Sequence, residues 1–169
     1  MPINDSDVRY WDSPAPDEAT CRARRDPVIV LPLAATEQHG PHLPLSTDVD
    51  IGLGILNETF LRLDRSIPAW TLPIETVGAS LEHVRYDGIT SVTPNELVQT
   101  IFNHGKHLST LGIRRLVISN SHGGNSAPIE SAALRLREEC ELLVVKANYY
   151  RFERPVDIDL PDIEWRHGL

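Results

Sequence analysis

The sequence predicts an α/β domain, a mainly parallel sheet flanked by helices. Short apolar runs rich in β-branched residues, such as VIVLPLAA at 28–35 and RRLVISN at 114–120, suit strands covered on both faces. Between the runs stand segments whose apolar residues recur at helical spacing. Strand and helix alternate through short connections, and that alternation is the signature of a parallel sheet.

Residues 1–26 are polar, with prolines at 2, 14 and 16, and read as an N-terminal arm or short helix ahead of a single domain over 27–169. The first strand follows at 28–33, where Pro32 predicts an edge position or a bulge near its end. Ser46-Thr47-Asp48 are good N-cap types, and Ile51, Ile55, Leu56 and Phe60 then mark a helix from Val49 to Leu63. AWTLPI at 69–74 reads as a second strand, and TVGASLEHVRYDGITSV as a long loop with a β-ribbon at its far end. Thr93-Pro94-Asn95-Glu96 opens a helix running to about Leu111: an N-cap, a proline at the first position and an acid in the first turn agree. Gly112 stops it. The strand at 114–120 leads through the tight loop SHGGNSAP into a helix at 129–140. ELLVVKANYY is the fourth strand.

Composition narrows the function. With 169 residues and 41% apolar content the chain builds a real core. Sixteen Lys plus Arg against 24 Asp plus Glu leave a formal charge of −8, which disfavours nucleic acid and is compatible with cations. Cys21 and Cys140 stand far apart, outside any C-x-x-C pattern, so neither a disulfide framework nor a thiolate zinc site is encoded, and a reducing cytoplasm suits that count. The N-terminus has no signal-peptide pattern, and no apolar run approaches the roughly 18 residues that span a bilayer.

Two loops carry chemistry. Ligands of open parallel sheets bind beyond the carboxyl ends of the strands. TEQHGPHLPLSTD follows the first strand and SHGGN the third, so topology brings Glu37, His39, Asp48 and His122 towards one edge. Glu37 and His39, two apart, point the same way on an extended stretch. The excursion GPHLPLST, with prolines at 41 and 44, returns the carboxylate of Asp48, whose two oxygens can bridge two cations. Oxygen and nitrogen donors without thiolate suit zinc, manganese or similar divalent ions. Each residue also has a plainer reading: Asp48 as a helix N-cap, His42 as loop packing or support for a ligand, SHGGN as a flexible turn or as a phosphate-binding nest for a nucleotide. Against phosphate, SHGGN has no Lys or Arg and no P-loop spacing. His104 and His107 share a helix face without nearby carboxylates and read as solvated.

With these residues in view, LPLAATEQHGPHLPLSTDVDI, VGASLEH and NSHGGN, in order over roughly 28–150, resemble the creatininase (creatinine amidohydrolase) family. The resemblance implies a three-layer α/β/α fold, a homo-oligomer that is often a hexamer, and a pair of divalent metals (Zn, Mn or Fe) on Glu37, His39, Asp48 and His122. It implies hydrolysis of a cyclic amide, formamide or small peptide by metal-activated water, with no membrane or nucleic-acid partner. Glu82, His83, Gly123 and Gly124 are expected to line the substrate pocket, and no residue is assigned as catalytic. Creatininase itself carries a glutamate where this chain has Gly124, which argues against creatinine. Relatives continue into a segment resembling H-G-G-x-x-E-T that supplies a further acidic ligand and a catalytic histidine, whereas this chain reaches DIEWRHGL at that point. The acids Glu153, Asp157, Asp159, Asp162 and Glu164 read as a solvated tail. The domain is therefore expected to be C-terminally incomplete, and the alternative to an enzyme is a non-catalytic metal-binding subunit completed by a further segment or chain. No nucleophile motif competes, since G-x-S-x-G is absent.

Overall fold

All strand pairings in the central sheet are parallel, as the alternation of elements predicts. The computed structural model describes residues 8–11, 15–81, 85 and 87–153. The elements run α1 (Pro16–Ala23), β1 (Val28–Leu33), α2 (Thr47–Arg62), β2 (Ala69–Thr71), α3 (Pro94–Thr110), β3 (Arg115–Asn120), α4 (Ser126–Cys140) and β4 (Leu143–Asn148). In space the strands stand in the order β2-β1-β3-β4.

The strand period divides the sheet into two faces. Ile29, Leu31 and Leu33 of β1 align with Leu116, Ile118 and Asn120 of β3. The apolar members of that row are buried in one core with Ile101 and Phe102 of α3 and Ile129, Ala132 and Leu136 of α4. Close approach of these two helices depends on Gly105, where a Cβ would lie 2.5 Å from Leu136. Removing the Leu136 side chain would cost about 2–5 kcal/mol, as for a buried leucine whose site does not collapse. The opposite face carries Val28 and Val30, against which Leu56 and Phe60 of α2 pack in a second, smaller core. Helices on both faces make three layers, α/β/α.

Several local expectations hold and others are corrected. The capping box at Thr93 forms, with Glu96 N–H donating to Thr93 Oγ1 and Thr93 N–H donating to the Glu96 carboxylate, so α3 begins where the residues predict. Gly112, at φ +84°, ends it. Pro32 sits neither on an edge nor in a bulge: β1 is an inner strand, and its pairing with β3 is unbroken from Val28 to Leu33. The missing N–H does no harm, because Val30 O accepts from Leu72 and Pro32 O from Glu75, so residue 32 faces the β2 side beyond the three-residue ladder of β2. β2 itself ends at Thr71, ahead of Pro73, which has no N–H to donate. In α2 the buried stripe is Asp48, Gly52, Leu56 and Phe60, while Ile55 is 39% exposed, so polar Asp48 takes the inward register. In place of a ribbon, the described part of the long loop makes a single antiparallel bridge, Thr36 to Thr90. Among the described residues no helix is long and apolar enough to cross a membrane.

Candidate metal centre

β1 feeds α2 on one face of the sheet and β3 feeds α4 on the other, so the loops after these neighbouring strands diverge and leave a crevice at their carboxyl ends. Glu37, His39, Asp48 and His122 all line it, and all four are buried. One liganding atom from each of Glu37, His39 and Asp48 lies within 4.8 Å of the others. His39 Nε2 is 3.1 Å from Asp48 Oδ1 and 4.0 Å from Glu37 Oε1. His122 closes the other side, with Nδ1 3.0 Å from Asp48 Oδ2 and 3.3 Å from Glu37 Oε1.

The 3.0 Å approach of His122 Nδ1 to Asp48 Oδ2 does not have the alignment of a hydrogen bond. Two ligands about 2.1 Å from one ion stand roughly 3.0–3.4 Å apart at right-angled to tetrahedral geometry, so the spacing is compatible with donors sharing a cation. Asp48 turns one oxygen to each imidazole. A divalent ion that accepts nitrogen and oxygen therefore fits these residues.

Charge arguments point the same way. Burial works against the charged form of His122, but Asp48 and Glu37 outweigh it and push the group up to about 10. Burial would raise the Asp48 carboxyl, yet contacts with His122 and His39 hold it below its ordinary value. Glu37 is likewise held low against burial by His122 and Ser80. His39 is raised, first through its contact with Asp48. Two buried carboxylates thus stay ionised and demand positive charge, which protons on the imidazoles or a metal can supply.

The surroundings fix the donors. His122 Nε2 lies 3.2 Å from Ala79 O and 3.2 Å from Ser80 Oγ, so the ring's proton belongs on Nε2 and Nδ1 is presented to the crevice. His39 Nδ1 lies 3.1 Å from the Glu37 carbonyl, which leaves its Nε2 inward. The series Ser80, His122, Asp48 has the connectivity of a hydrolase triad, but Ser80 is 0% exposed and cannot meet a substrate, so it positions the ring. Asn125 ties the loops together: its Oδ1 accepts from Ala79 N–H, and its Nδ2 donates to Ala34 O and Asn120 Oδ1. Asn120 Nδ2 in turn reaches Asn148 on β4.

The other residues singled out from the sequence fall as follows. Gly124 packs on the ligand loop, since a Cβ there would lie 2.3 Å from Ala79 O and 2.5 Å from His122 Nε2, whereas Gly123 borders open space. Glu82 and His83, and the acids Asp157, Asp159, Asp162 and Glu164, lie outside the described residues; Glu153 is exposed. His104 does meet a carboxylate, with Nε2 2.8 Å from Glu75 Oε1, so the expectation of a face without nearby acids is corrected. Glu75 stands 29 positions away and reaches α3 only through the fold. The sequence does not mark Ser80 or Ala79 as supports, because their partner lies over 40 positions away, whereas the second Asn of NSHGGN, Asn125, is a visible signal for loop bracing.

Residues 14–165 match the Creatininase family, described as creatinine amidohydrolase. Among curated relatives, the mycofactocin precursor peptide peptidase of Mycobacterium tuberculosis is 39% identical over 119 residues, covering 67% of this chain and 47% of that protein. The chain thus spans about half the length of the curated relatives it matches. Among solved structures, a mutant creatininase of Zn-Zn type is 27% identical with a TM-score of 0.77, covering 95% of this chain and 69% of its own. A manganese creatininase is 26% identical with a TM-score of 0.71, covering 85% and 59%.

Proposed function

The chain belongs to the creatininase family, and on that premise we propose that it is a metal-dependent hydrolase of an amide-type C–N bond, with Glu37, His39, Asp48 and His122 as its metal ligands. The carrying observation is the crevice itself, where two ionised carboxylates and two imidazoles converge at the mutual distances of ligands. A divalent cation held by these residues would supply an acidified water and polarise a carbonyl oxygen. The chain's own residues do the rest. Asp48, with one oxygen to each imidazole, suits two cations. Ala79 O and Ser80 hold the His122 ring, and Gly123 leaves room for a substrate beside it. Family and relatives range from a creatinine amidohydrolase to a peptide peptidase and a deformylase, which supports a small cyclic amide, formamide or peptide as the substrate class. Metal analysis alongside hydrolysis of a lactam, a formamide and a short peptide tests this. Stoichiometric metal, lost in His39→Ala and His122→Ala together with turnover, is expected; unchanged metal content in both variants overturns the assignment.

A second reading, a metal-binding subunit completed by a further segment or chain, is favoured by one observation. The α2 side of the sheet is open over β3 and β4: Leu143 is 60%, Val145 49% and Phe152 68% exposed. A groove of about 390 Å³ there is lined by Val30, Ile55, Val117, Ala147, Tyr149 and Phe152. This reading expects bound metal without turnover, and turnover restored when the C-terminal part of the mycobacterial relative is supplied. Turnover by the chain alone counts against it.

A further inference from the structure

At the outer edge of β2, where Ile67 and Arg25 precede β2 and β1, three arginines converge on a cavity of about 480 Å³ lined also by Tyr10, Glu18 and Trp70. It lies at the amino ends of the strands, away from the metal crevice. In a chain of charge −8 a local excess of guanidinium is the unexpected sign. Arg22 and Arg25 both stand over the one indole of Trp70, at 5.4 and 5.9 Å from a ring centroid, and Arg9 stands 5.5 Å over Phe60. Aromatic faces position these cations without cancelling their charge.

The hydrogen bonds show which donors remain. Arg22 is committed: it donates to Glu18 through Nε and Nη2 and to Tyr10 O through Nη1. Arg9 donates once, from Nη1 to Ile67 O. The Arg25 guanidinium makes no hydrogen bond or ion pair with another described residue, only its ring contact. Guanidinium carries five N–H donors, so Arg25 keeps five and Arg9 four uncommitted to other described residues, and both side chains line the cavity. Among the described lining residues Glu18 alone carries a carboxylate, and it is paired with Arg22. Burial first, and then the nearby charges of Arg25 and Arg65, lowers the Arg9 pKa.

We propose that this cavity is a binding site for a small, multiply charged oxyanion, a phosphate monoester or a polycarboxylate, held between Arg9 and Arg25. Its volume falls within the roughly 300–1,000 Å³ of small-molecule sites, so it admits more than the bare anionic group. Guanidinium forks match both oxyanions in planar, two-pronged fashion, and the local cationic field outweighs the chain's overall acidity at this range.

Thermal unfolding of the metal-loaded full chain tests the proposal, with sodium phosphate, phenyl phosphate or tricarballylate set against sodium chloride at equal ionic strength. At ten times the dissociation constant the midpoint rises by roughly 3–4 °C for a chain of this size. The rise is expected to disappear in Arg25→Gln, an exposed position whose loss leaves the core intact, and to weaken in Arg9→Lys, which keeps the charge but loses the fork. A larger effect of the phosphates than of tricarballylate identifies a phosphate ligand, and the reverse a carboxylate. No rise beyond chloride, or a rise undiminished in Arg25→Gln, as binding at the metal centre would give, overturns the proposal.

Discussion

His122 lies 3.0 Å from Asp48, and His104 lies 2.8 Å from Glu75. By length the two contacts are alike, yet their settings are opposite. His122 is buried and faces two carboxylates at once, whereas His104 and Glu75 keep about a third of their side-chain surface in water and face only each other. A lone exposed pair satisfies itself and is screened, and contributes on the order of 0–1 kcal/mol. Two carboxylates confined with two imidazoles away from water leave a charge balance that a divalent cation completes. Number of donors and burial, not proximity, separate this candidate metal centre from an ion pair.

The largest effect expected from breaking that contrast is on metal content. Asp48→Asn removes the charge that lies nearest both imidazoles, at 3.1 and 3.0 Å, and is expected to abolish stoichiometric metal by elemental analysis, while His104→Ala retains it. Gly124→Ala comes next. Its new methyl would press on Ala79 O and His122 Nε2, so metal affinity should fall by more than tenfold, with a stability loss of about 1–3 kcal/mol in denaturant titrations, as for overpacked sites. Ser80→Ala leaves Nδ1 in place but loosens the ring, and a fall of roughly tenfold in zinc affinity, read by competition with a chelating dye, is expected from the loss of a supporting hydrogen bond. A smaller and reversed effect belongs to pH. In metal-free protein the raised His122 pKa means that its stabilisation is complete below about 6.5 and is lost as pH rises towards about 10. Metal-loaded protein, with a cation in the proton's place, should show no such decline in urea midpoint across that window, and its affinity should instead weaken as pH falls, because protons compete for the imidazoles. The smallest change is expected from Glu75→Gln: within about 1 kcal/mol in stability and none in bound metal.

Much of this arrangement is legible before any coordinates. β1 and β3 announce themselves as apolar β-branched runs, and the loops after them carry the residues that meet, because parallel topology fixes which ends gather. Pro32 misleads, since tolerance of a missing N–H depends on where the neighbouring strand ends, a fact belonging to β2. Ile55 misleads because hydrophobic spacing alone cannot tell that this part of α2 borders an open groove over β3, where the isoleucine stays 39% exposed. The Ser80 and Ala79 contacts to His122 span 42 and 43 positions, and Glu75 lies 29 from His104, so no local pattern reveals these partners. Only the assembled sheet brings them together.

The amide of Asn125 joins the backbone after β1, the backbone at Ala79 and the side chain of Asn120, which itself holds β4. Such a clasp keeps the histidine loop in shape whether or not an ion is present. Loading then becomes a matter of shedding water and protons into a ready-made receptacle, with little ordering left to do, and a chelator should empty the protein without unfolding it.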